Sequence, residues 1–523
     1  MAEPKIIFNL AQGGLGRTLP GYDHYSSFIA YQKAASLTAG YSTIGNKIYT
    51  SVAAAEADGV VNTCAEATAA TSAQVITGVG ADGDTITWTW THWDGTVITL
   101  GSYTKVSADS TVTLVKTAAV AAINALTYAT GWSATSGSTG AWTLTAPKVD
   151  GVYPNTKSVT TTIVGTITTT SAALTGGTKS PLAIWNYQIR EFFRANPNGI
   201  LFFAIKLDLT SQNIAAFNAQ VITDVAAVQA AFSVLNIEAA GARQTTIYNP
   251  DRTFDVLTLD ALKTARTNLK TIYSNSVFWL LMNTSASALT AFANTRAQSD
   301  EGCSVVISQS SSGTGKEYYY TQNPVIGSAG LALGIESAAA VSKSIGEVQA
   351  FNVNDGIECN TVQFLDVSFT DWTTLQATGQ TTIDLVNAYG YVYLKKFPNK
   401  VGTYFSEGSC AVTISSDYAM RETNRTIDKA IRNIYSQVIG LLNQKNRLNA
   451  NGTLSDAARA SYKTATAIAL DQMERDEDIS DSAIVVSTTE VVATTNNIPI
   501  TVSMIPSAVG RTITYTIGFT KSL

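Results

Sequence analysis

The stretch Ile200-Leu201-Phe202-Phe203-Ala204-Ile205 decides the fold of this chain, because six consecutive apolar residues predict a strand buried on both faces. A pattern of apolar residues at helical spacing precedes it over Leu182–Ala195. Asn198-Gly199 lies between the two segments and predicts a tight turn. The sequence thus places a helix directly before a buried strand.

The same alternation continues along the chain. Val277–Met282 and Cys303–Ser308 are further apolar strand candidates, and Thr245–Tyr248 is a weaker one. Helical segments separate them. Apolar strands alternating with helices predict a mostly parallel sheet covered on both faces, which is an α/β fold. Such a sheet can bind nucleotides, but the fold alone does not imply it.

Residues 60–180 are rich in Thr, Ser, Ala and Gly, and predict a small separate domain. Ile86, Trp88 and Trp90 alternate with threonines, which is the period of a half-buried strand. Asp94-Gly95 predicts a hairpin turn before a partner strand over 97–101. The other expected elements are a helix over Val115–Leu126 and strands near Gly131-Trp132, Ala141–Leu144 and Val159–Thr170.

The five tryptophans of this block allow two interpretations. Exposed indoles would suggest carbohydrate stacking, whereas the core of a small domain would bury them. The second interpretation is favoured, because the hydrophobic core of a small domain accounts for these residues better than a carbohydrate site does. They are Trp88, Trp90, Trp93, Trp132 and Trp142.

Composition limits the classes of function. Hydrophobic residues make up 45% of the 523 residues and charged residues 14%, against about 25% in an average protein. The chain should therefore fold, and two to four domains are expected from its length. A net charge of −5 does not indicate nucleic-acid binding. The chain has only two histidines, whereas most hydrolases and metal enzymes use histidine as a base or a ligand, so these classes are disfavoured.

The four cysteines, Cys64, Cys303, Cys359 and Cys410, are far apart, so neither a zinc site nor a disulfide framework is expected. The first residues lack the pattern of a secretion signal, and no run of about 18 apolar residues predicts a membrane span. We expect folding in a reducing cytoplasm and no membrane insertion.

The motifs that could carry chemistry are incomplete. Residues 310–317 resemble a phosphate loop, but Ser310 replaces its first glycine and Glu317 replaces the hydroxyl that would hold magnesium. Residues 12–17 are glycine-rich without a strand–helix framework. The acidic run 474–478 is typical of a solvated loop, with an ion site as the alternative. We expect no catalytic residues, no cofactor and no metal.

Arg421 to Asn449 is the clearest helix in the sequence. An apolar stripe at three- and four-residue steps predicts a face that packs on a core. A second stripe at the same spacing is basic, and predicts either a solvated face or a docking face for an acidic partner. The apolar stripe consists of Ile427, Ile431, Ile434, Val438 and Leu442, and the basic stripe of Arg421, Arg425, Lys429 and Arg432.

Both ends of the sequence predict strands. Ile6, Ile7 and Phe8 lie in a short apolar stretch before a glycine-rich hinge. Near the other end, Ile498 to Met504 alternate apolar and polar residues, and the same period resumes after Gly510. Terminal strands have unpaired edges, which donation to a neighbouring subunit would satisfy. The resumed strand carries Ile513, Tyr515, Ile517 and Phe519.

The C-terminal third resembles the shared domain of contractile-tail sheath proteins of bacteriophages and related injection systems. Residues 402–408, Gly-Thr-Tyr-Phe-Ser-Glu-Gly, resemble the glycine-bounded hairpin of that family, and residues 425–432 resemble its R-x-I-D helix. The stretch 498–519 resembles its closing strands. The Gly-Gly-Leu-Gly-Arg opening at 13–17 and the 60–180 block resemble features of sheath-like proteins from phages of Bacteroidetes-type hosts.

This resemblance implies a structural protein and not an enzyme. Subunits would form stacked six-membered rings around a tail tube, add terminal strands to sheets of their neighbours, and contract to drive the tube through the host envelope. Partners would be other copies of the chain, the tube, and the baseplate and tail terminator proteins. The location would be the virion tail, assembled in the host cytoplasm.

The resemblance also implies a division of the chain. Residues 1–58 would form an N-terminal arm and the start of the α/β sheath core, 60–180 an inserted β-rich outer domain, and 181–350 the α/β sheath domain. Residues 351–495 would form the shared domain that faces the tube, with Arg421, Arg425, Lys429 and Arg432 against it. Residues 496–523 would be the C-terminal strand arm.

Three alternatives compete with this interpretation. A surface adhesin or S-layer-type protein would suit the Thr-rich strands and tryptophans. An enzyme on the α/β region lacks the required motifs. Another tail component is the third alternative: a tube protein is usually much smaller than this chain, whereas a baseplate protein need not be.

Overall fold

The computed structural model describes most of the chain. The described residues are 22–33, 46–210, 213–235, 242–250, 252, 255–270, 277–281, 293–310, 313–322, 328–353, 362–364, 373–374, 380–395, 397, 399–511 and 513–515.

The first described strand lies inside the largest sheet, between two other strands. A 3-10 turn, Tyr22–His24, leads into strand β1, Tyr25–Lys33. Strand β2, Lys47–Tyr49, and helix α1, Val52–Ala57, follow. Ser51 caps α1 by accepting a hydrogen bond from the Ala54 amide.

Residues 71–171 form a β-rich unit. Its elements are β3 (Thr71–Gly78), β4 (Thr85–Thr91), β5 (Val97–Thr104), α2 (Val112–Asn124), α3 (Thr127–Thr130), β6 (Ser133–Ser136), β7 (Ala141–Thr145), β8 (Thr160–Val164) and β9 (Thr168–Ser171). The sheet β6-β7-β3-β9 and the sheet β5-β4-β8 enclose one apolar core with α2. The core buries Trp88, Trp90, Trp132 and Trp142, so the core interpretation of these four residues is confirmed.

One expectation for this unit is wrong, and one of its strands was not predicted. The segment 159–170 does not form one strand: β8 pairs with β4 and β9 pairs with β3, so the chain changes sheets between them. Gly165 lies in that crossing with a φ of +116°, a conformation that L side chains rarely adopt. Strand β3, which the sequence analysis did not assign, pairs with both β7 and β9.

The middle of the chain supplies the remaining strands of the main sheet. Its elements are α4 (Pro181–Ala195), β10 (Ile200–Asp208), α5 (Ile214–Leu235), β11 (Gln244–Tyr248), α6 (Thr258–Lys270), β12 (Val277–Leu281), a 3-10 turn (Thr295–Gln298), β13 (Cys303–Val306), β14 (Ser308–Ser310), α7 (Gly313–Thr321), α8 (Ala329–Ala338), β15 (Val362–Phe364), β16 (Thr373–Thr374), α9 (Gln380–Ala388), β17 (Tyr391–Val392), β18 (Leu394–Lys395) and β19 (Tyr404–Phe405).

The seven-stranded sheet has the order β17-β13-β12-β11-β1-β10-β2. All neighbouring pairs are parallel except β10 with β2. Apolar clusters cover both faces, one containing α4 and α8 and the other α5 and α6. The prediction of a mostly parallel sheet covered on both faces is therefore confirmed, within a fold of mixed helices and several small sheets.

The C-terminal part consists of two helices and a strand hairpin. Its elements are α10 (Arg421–Val438), a 3-10 turn (Ile439–Leu441), α11 (Asp456–Arg475), β20 (Ile479–Val486), α12 (Val492–Thr495) and β21 (Ile500–Pro506). The expected helix 421–449 therefore ends early. It tightens into the 3-10 turn, and Asn443 follows in the left-handed region with a φ of 60°.

The ends of the β-rich unit lie side by side. The Thr68 amide donates to the Thr178 hydroxyl at 2.7 Å, and the Thr178 amide donates to the Thr68 carbonyl at 3.0 Å. A short linker could thus replace the unit without stretching the main sheet.

Replacement of residues 70–176 by a four-residue Gly-Ser linker tests the proposed domain division. We expect a soluble chain that retains the α/β circular dichroism signal and unfolds cooperatively in urea, because the apolar core of the unit is its own. Aggregation, or gradual unfolding without a transition, would show that the unit is part of the main core.

Candidate functional site

The candidate site is built on α10. The Arg421 amide donates to the Gly408 carbonyl at 2.8 Å, and Met420 bridges to Ser409, so the helix start is fixed to the preceding loop. Glu422 lies in the first turn, where a carboxylate suits the helix dipole. Residues at steps of three and four then share a face.

The first turn of α10 holds a buried ion pair. The Arg421 guanidinium donates to both Glu336 oxygens, from Nε at 2.7 Å and from Nη2 at 2.6 Å. Arg421 is 1% exposed and Glu336 is 0% exposed. The Arg421 Nη1 also donates to the Ser304 hydroxyl at 3.2 Å. This contact joins α10 to α8 and to strand β13 of the main sheet.

Arg425, one turn later, shares the same carboxylate. Its Nε lies 3.8 Å from Glu336 Oε1, and its Nη atoms donate to the carbonyls of Ala339 and Ala340. Burial lowers the pKa of Arg425, and the Glu336 carboxylate opposes that effect. The end of α8 therefore accepts two cations from α10.

The next turns of α10 place one acidic and one basic side chain against other elements. Asp428 lies 3.4 Å from the Arg266 Nη2 on α6. Lys429 lies 2.6 Å from Asp478, 3.6 Å from Asp23 and 3.7 Å from Asp476. Burial opposes the charge of Lys429, but these carboxylates outweigh it and raise the pKa of the lysine.

Arg432 completes the charged face by pairing with Asp23, just before β1. Burial would raise the pKa of Asp23, but Arg432 and Lys429 lower it overall. The charged face of α10 is thus bonded to α8, α6, the start of β1 and the segment before β20. Its partners within the chain neutralise it.

The prediction that Arg421, Arg425, Lys429 and Arg432 form an exposed docking face is therefore wrong. The reason is that acidic partners from distant parts of the sequence meet these side chains inside the fold. The run 474–478 is not simply a solvated loop either, because Asp476 and Asp478 bind Lys429.

The expectation for the apolar stripe is also partly wrong. Ile434 packs beside the small core around Ala430, Leu470, Met473 and Ile479. Ile431 and Leu442, however, are exposed to 40% and 68%. Helix α10 therefore turns its charged side inward and part of its apolar side outward.

The hairpin β20–β21 lies beside this helix pair. Its register runs from Ile479 opposite Pro506 to Val486 opposite Ile500. Ile484, Val502 and Met504 pack against the core formed with α10 and α11. Among the described residues, β20 and β21 pair with each other and with no other strand.

A short arm follows the hairpin. Arg511 pairs with the buried Glu422 and lies 3.4 Å from Glu407. Ile513 and Tyr515 are 73% and 79% exposed. The other residues predicted as inter-subunit arm strands, Ile6, Ile7, Phe8, Ile517 and Phe519, lie outside the described residues.

The segment that resembles a phosphate loop has a structural role. Residues 313–321 form α7, and the Lys316 ammonium lies over the Trp93 ring at 5.9 Å. The Trp93 ring in turn stacks on Tyr320 at 5.7 Å. The Val152 amide donates to the Thr321 carbonyl at 2.8 Å. Helix α7 therefore joins the β-rich unit to the main sheet.

Buried Asp150 lies at this junction. Its Oδ2 atom has no hydrogen-bond partner among the described residues. Burial raises the pKa of Asp150 to about 6, while His92 lowers it and Glu317 raises it further.

No metal centre is formed in the described part of the chain, where no three His, Cys, Asp or Glu side chains are placed to hold an ion. A cavity of about 320 Å³ opens between α1, α4 and α7. Its carboxylate, Glu191, accepts two hydrogen bonds from Arg194, so it is not poised as a general base.

One described helix, α5, is long and apolar enough to cross a membrane by length and composition. Its residues Phe217, Val221, Val225 and Val228 are buried in the cluster that covers the sheet. This arrangement is typical of a helix that packs one apolar face on a sheet.

Sequence reasoning missed the acidic partners of α10. Glu336 had a detectable signal, because it is the single charge in the otherwise apolar helix α8. Asp23 and Arg266 have no such signal, since the fold alone brings them to α10.

Comparisons with known proteins give partial matches. Residues 417–523 match the family described as DUF2586, C-terminal domain, which covers α10, α11 and the hairpin. None of the curated proteins matches the chain.

Two solved structures resemble the fold. A chain of the anti-feeding prophage baseplate is 14% identical, with a TM-score of 0.40, over 65% of this chain and 80% of its own. A chain of the contracted PVC sheath complex, an extracellular contractile injection system, is 10% identical, with a TM-score of 0.39, over the same shares. Both of these matched chains come from contractile injection systems.

Replacement of Arg421 by Met tests the buried ion pair. We expect a loss of about 3 kcal/mol in the free energy of unfolding, because Glu336 keeps its charge inside the protein with a poorer partner. Urea unfolding measures the loss. The control is Arg459→Met on α11, whose pair with Asp456 is exposed and should contribute less than about 1 kcal/mol. Equal losses in both variants would contradict the assignment.

Replacement of Asp150 by Asn tests the junction. Burial raises the pKa of Asp150 in the folded chain to about 6, above the usual range of an aspartate, so the ionised carboxylate costs stability above about pH 6 and the cost disappears as pH falls toward 4. We expect the variant to be more stable by about 2 kcal/mol at pH 7.5 and equal to wild type at pH 4. Exposed Asp471→Asn is the control. A pH-independent difference would refute the prediction.

Proposed function

We propose that this chain is a sheath subunit of a contractile tail. It would polymerise as stacked six-membered rings around the tail tube and contract to drive the tube through the host envelope. The particle would assemble in the host cytoplasm, with the chain in the tail of the virion. This role depends on non-covalent contacts between subunits and requires no catalysis.

The observation that carries the proposal is the two-stranded hairpin β20–β21. A two-stranded sheet is marginally stable by itself, and unpaired edges invite further strands. This hairpin is fixed on one face by Ile484, Val502 and Met504. It therefore offers a rigid template, and strands from neighbouring subunits would complete the sheet.

The arm after the hairpin supplies a segment that could act as the donated strand. Arg511 fixes its start beside Glu407 and Glu422. Ile513 and Tyr515 follow with the two-residue spacing of a strand and are largely exposed. Exposed apolar side chains of this size are expected to find a covered position in an assembly.

The adhesin alternative has lost its main support. Exposed tryptophans would have favoured a carbohydrate-binding surface, but four of the five are buried in the β-rich core and Trp93 stacks on Tyr320. The fold does not by itself distinguish a sheath subunit from a baseplate subunit. Formation of long polymers by the chain would distinguish them.

Negative-stain electron microscopy of the purified chain, with and without tail tubes, tests the function. We expect helical tubes or stacked six-fold rings. A chain that remains monomeric even with tubes present would refute the sheath assignment.

Truncation after Gly510 tests strand donation. The shortened chain should keep its fold, because the described residues that it loses contribute the exposed Ile513 and Tyr515 side chains and the partly exposed Arg511 pair. It should nevertheless lose polymerisation, with sedimentation velocity reporting monomers. Arg511→Ala in the full chain is the matched control, since it frees the arm without removing it. Polymerisation of the truncated chain at the wild-type rate would exclude donation by this arm.

A further inference from the structure

Three arginines from two elements converge on a small cavity beside α10. Arg243 directly precedes β11, and Arg425 and Arg432 lie two turns apart on α10. The cavity has about 10 Å³ for the centre of a water-sized sphere, so it holds one water molecule or one monatomic ion. Its other lining residues are Asp23, Gln244, Val341 and Asp428.

The lining of this cavity has an excess of positive charge. Three cations against two carboxylates give it a net charge of +1. Both carboxylates are already engaged by cations: Asp23 pairs with Arg432 and lies 3.6 Å from Lys429, and Asp428 lies 3.4 Å from Arg266. The acidic side chains of the lining therefore do not balance its arginines.

The excess acts on the two buried guanidinium groups. Burial and the charge of Arg432 lower the pKa of Arg243 to about 9, although Asp23 and Asp428 favour its charged form. The pKa of Arg425 is lowered in the same way, by burial first and then by neighbouring arginines. An anion in the cavity would favour the charged form of both groups.

Gln244 contributes the feature that suits a water molecule. Its Oε1 atom forms no hydrogen bond among the described residues, and a water molecule would donate to it. Water would leave the positive excess as it is, however, whereas a buried charge is stabilised by an opposite one. The charge of the lining thus favours an anion over water.

The size and position of the cavity restrict the anion. Sulfate and phosphate are too large for a space that holds one water molecule. The side chains of Asp23 and Arg432 are 20% and 15% exposed, so a small ion can enter from solvent beside them.

We propose that this cavity binds one monatomic anion, chloride in ordinary salt solutions, between Arg243, Arg425 and Arg432. The ion balances the charge of the lining and joins the start of β11 to α10. It stabilises the attachment of the C-terminal helices to the main sheet. This inference does not depend on the proposed sheath function.

Unfolding of the full chain in urea tests the site, with sodium chloride replacing sodium gluconate at constant pH and ionic strength. Once the site is half filled, each tenfold rise in chloride should lower the unfolding equilibrium constant about tenfold, because unfolding releases one ion. The variant Arg243→Gln should lose this dependence, because the excess charge is gone. Arg447→Gln, which removes an exposed cation, is the matched control and should keep it.

Crystals of the wild-type chain soaked in sodium bromide give a second measurement that does not require the variant to fold. We expect an anomalous bromide peak between Arg243 and Arg432. Water without anomalous signal at this position would overturn the inference. An equal chloride dependence in wild type and Arg243→Gln would also overturn it, since the effect would then be one of salt in general.

Discussion

The buried contact between Arg421 and Glu336 determines where the C-terminal part of the chain sits. It joins α10 to α8 through two hydrogen bonds of 2.7 and 2.6 Å in a place that water does not reach. A buried ion pair is weak evidence for stability, because desolvation offsets much of the attraction. We infer that the main effect of this pair is to fix the orientation of α10 on α8. Asp428 and Lys429 form ion pairs with other elements about two turns later, so a slide of one turn would break several pairs together.

This anchoring explains why α10 has its polar side inside. A surface helix normally buries its apolar stripe and exposes its charges. Here Glu336 and Asp23 offer carboxylates at the inner side, and an unpaired buried carboxylate costs several kcal/mol. The cations of α10 satisfy them, which turns Ile431 and its neighbours outward.

The sequence predicts those features that depend on local periodicity. The apolar run at 200–205, the alternation at 86–90 and the helix at 421 all have the expected structure. Strand β1 was missed because it buries polar residues. The Ser27 and Thr245 hydroxyls lie 2.6 Å apart, and the Gln244 side-chain Nε2 donates to the Ser26 hydroxyl at 2.9 Å. The sequence also carries both stripes of α10 without showing which faces inward, because their partners are distant along the chain. The acidic partners of α10 became visible only in the fold.

In the proposed sheath, these contacts define a path for force. A neighbour that holds the arm would pull on Arg511, then on the hairpin and α10, and through Arg421 on the main sheet. Arg511 is about a third exposed, so solvent and salt screen its pairs, whereas the Arg421 pair is shielded from both. Of these two contacts, the Arg511 pairs would therefore break first under load. Movement between subunits would then bend the arms and leave each subunit intact, as a polymer that changes length without unfolding requires.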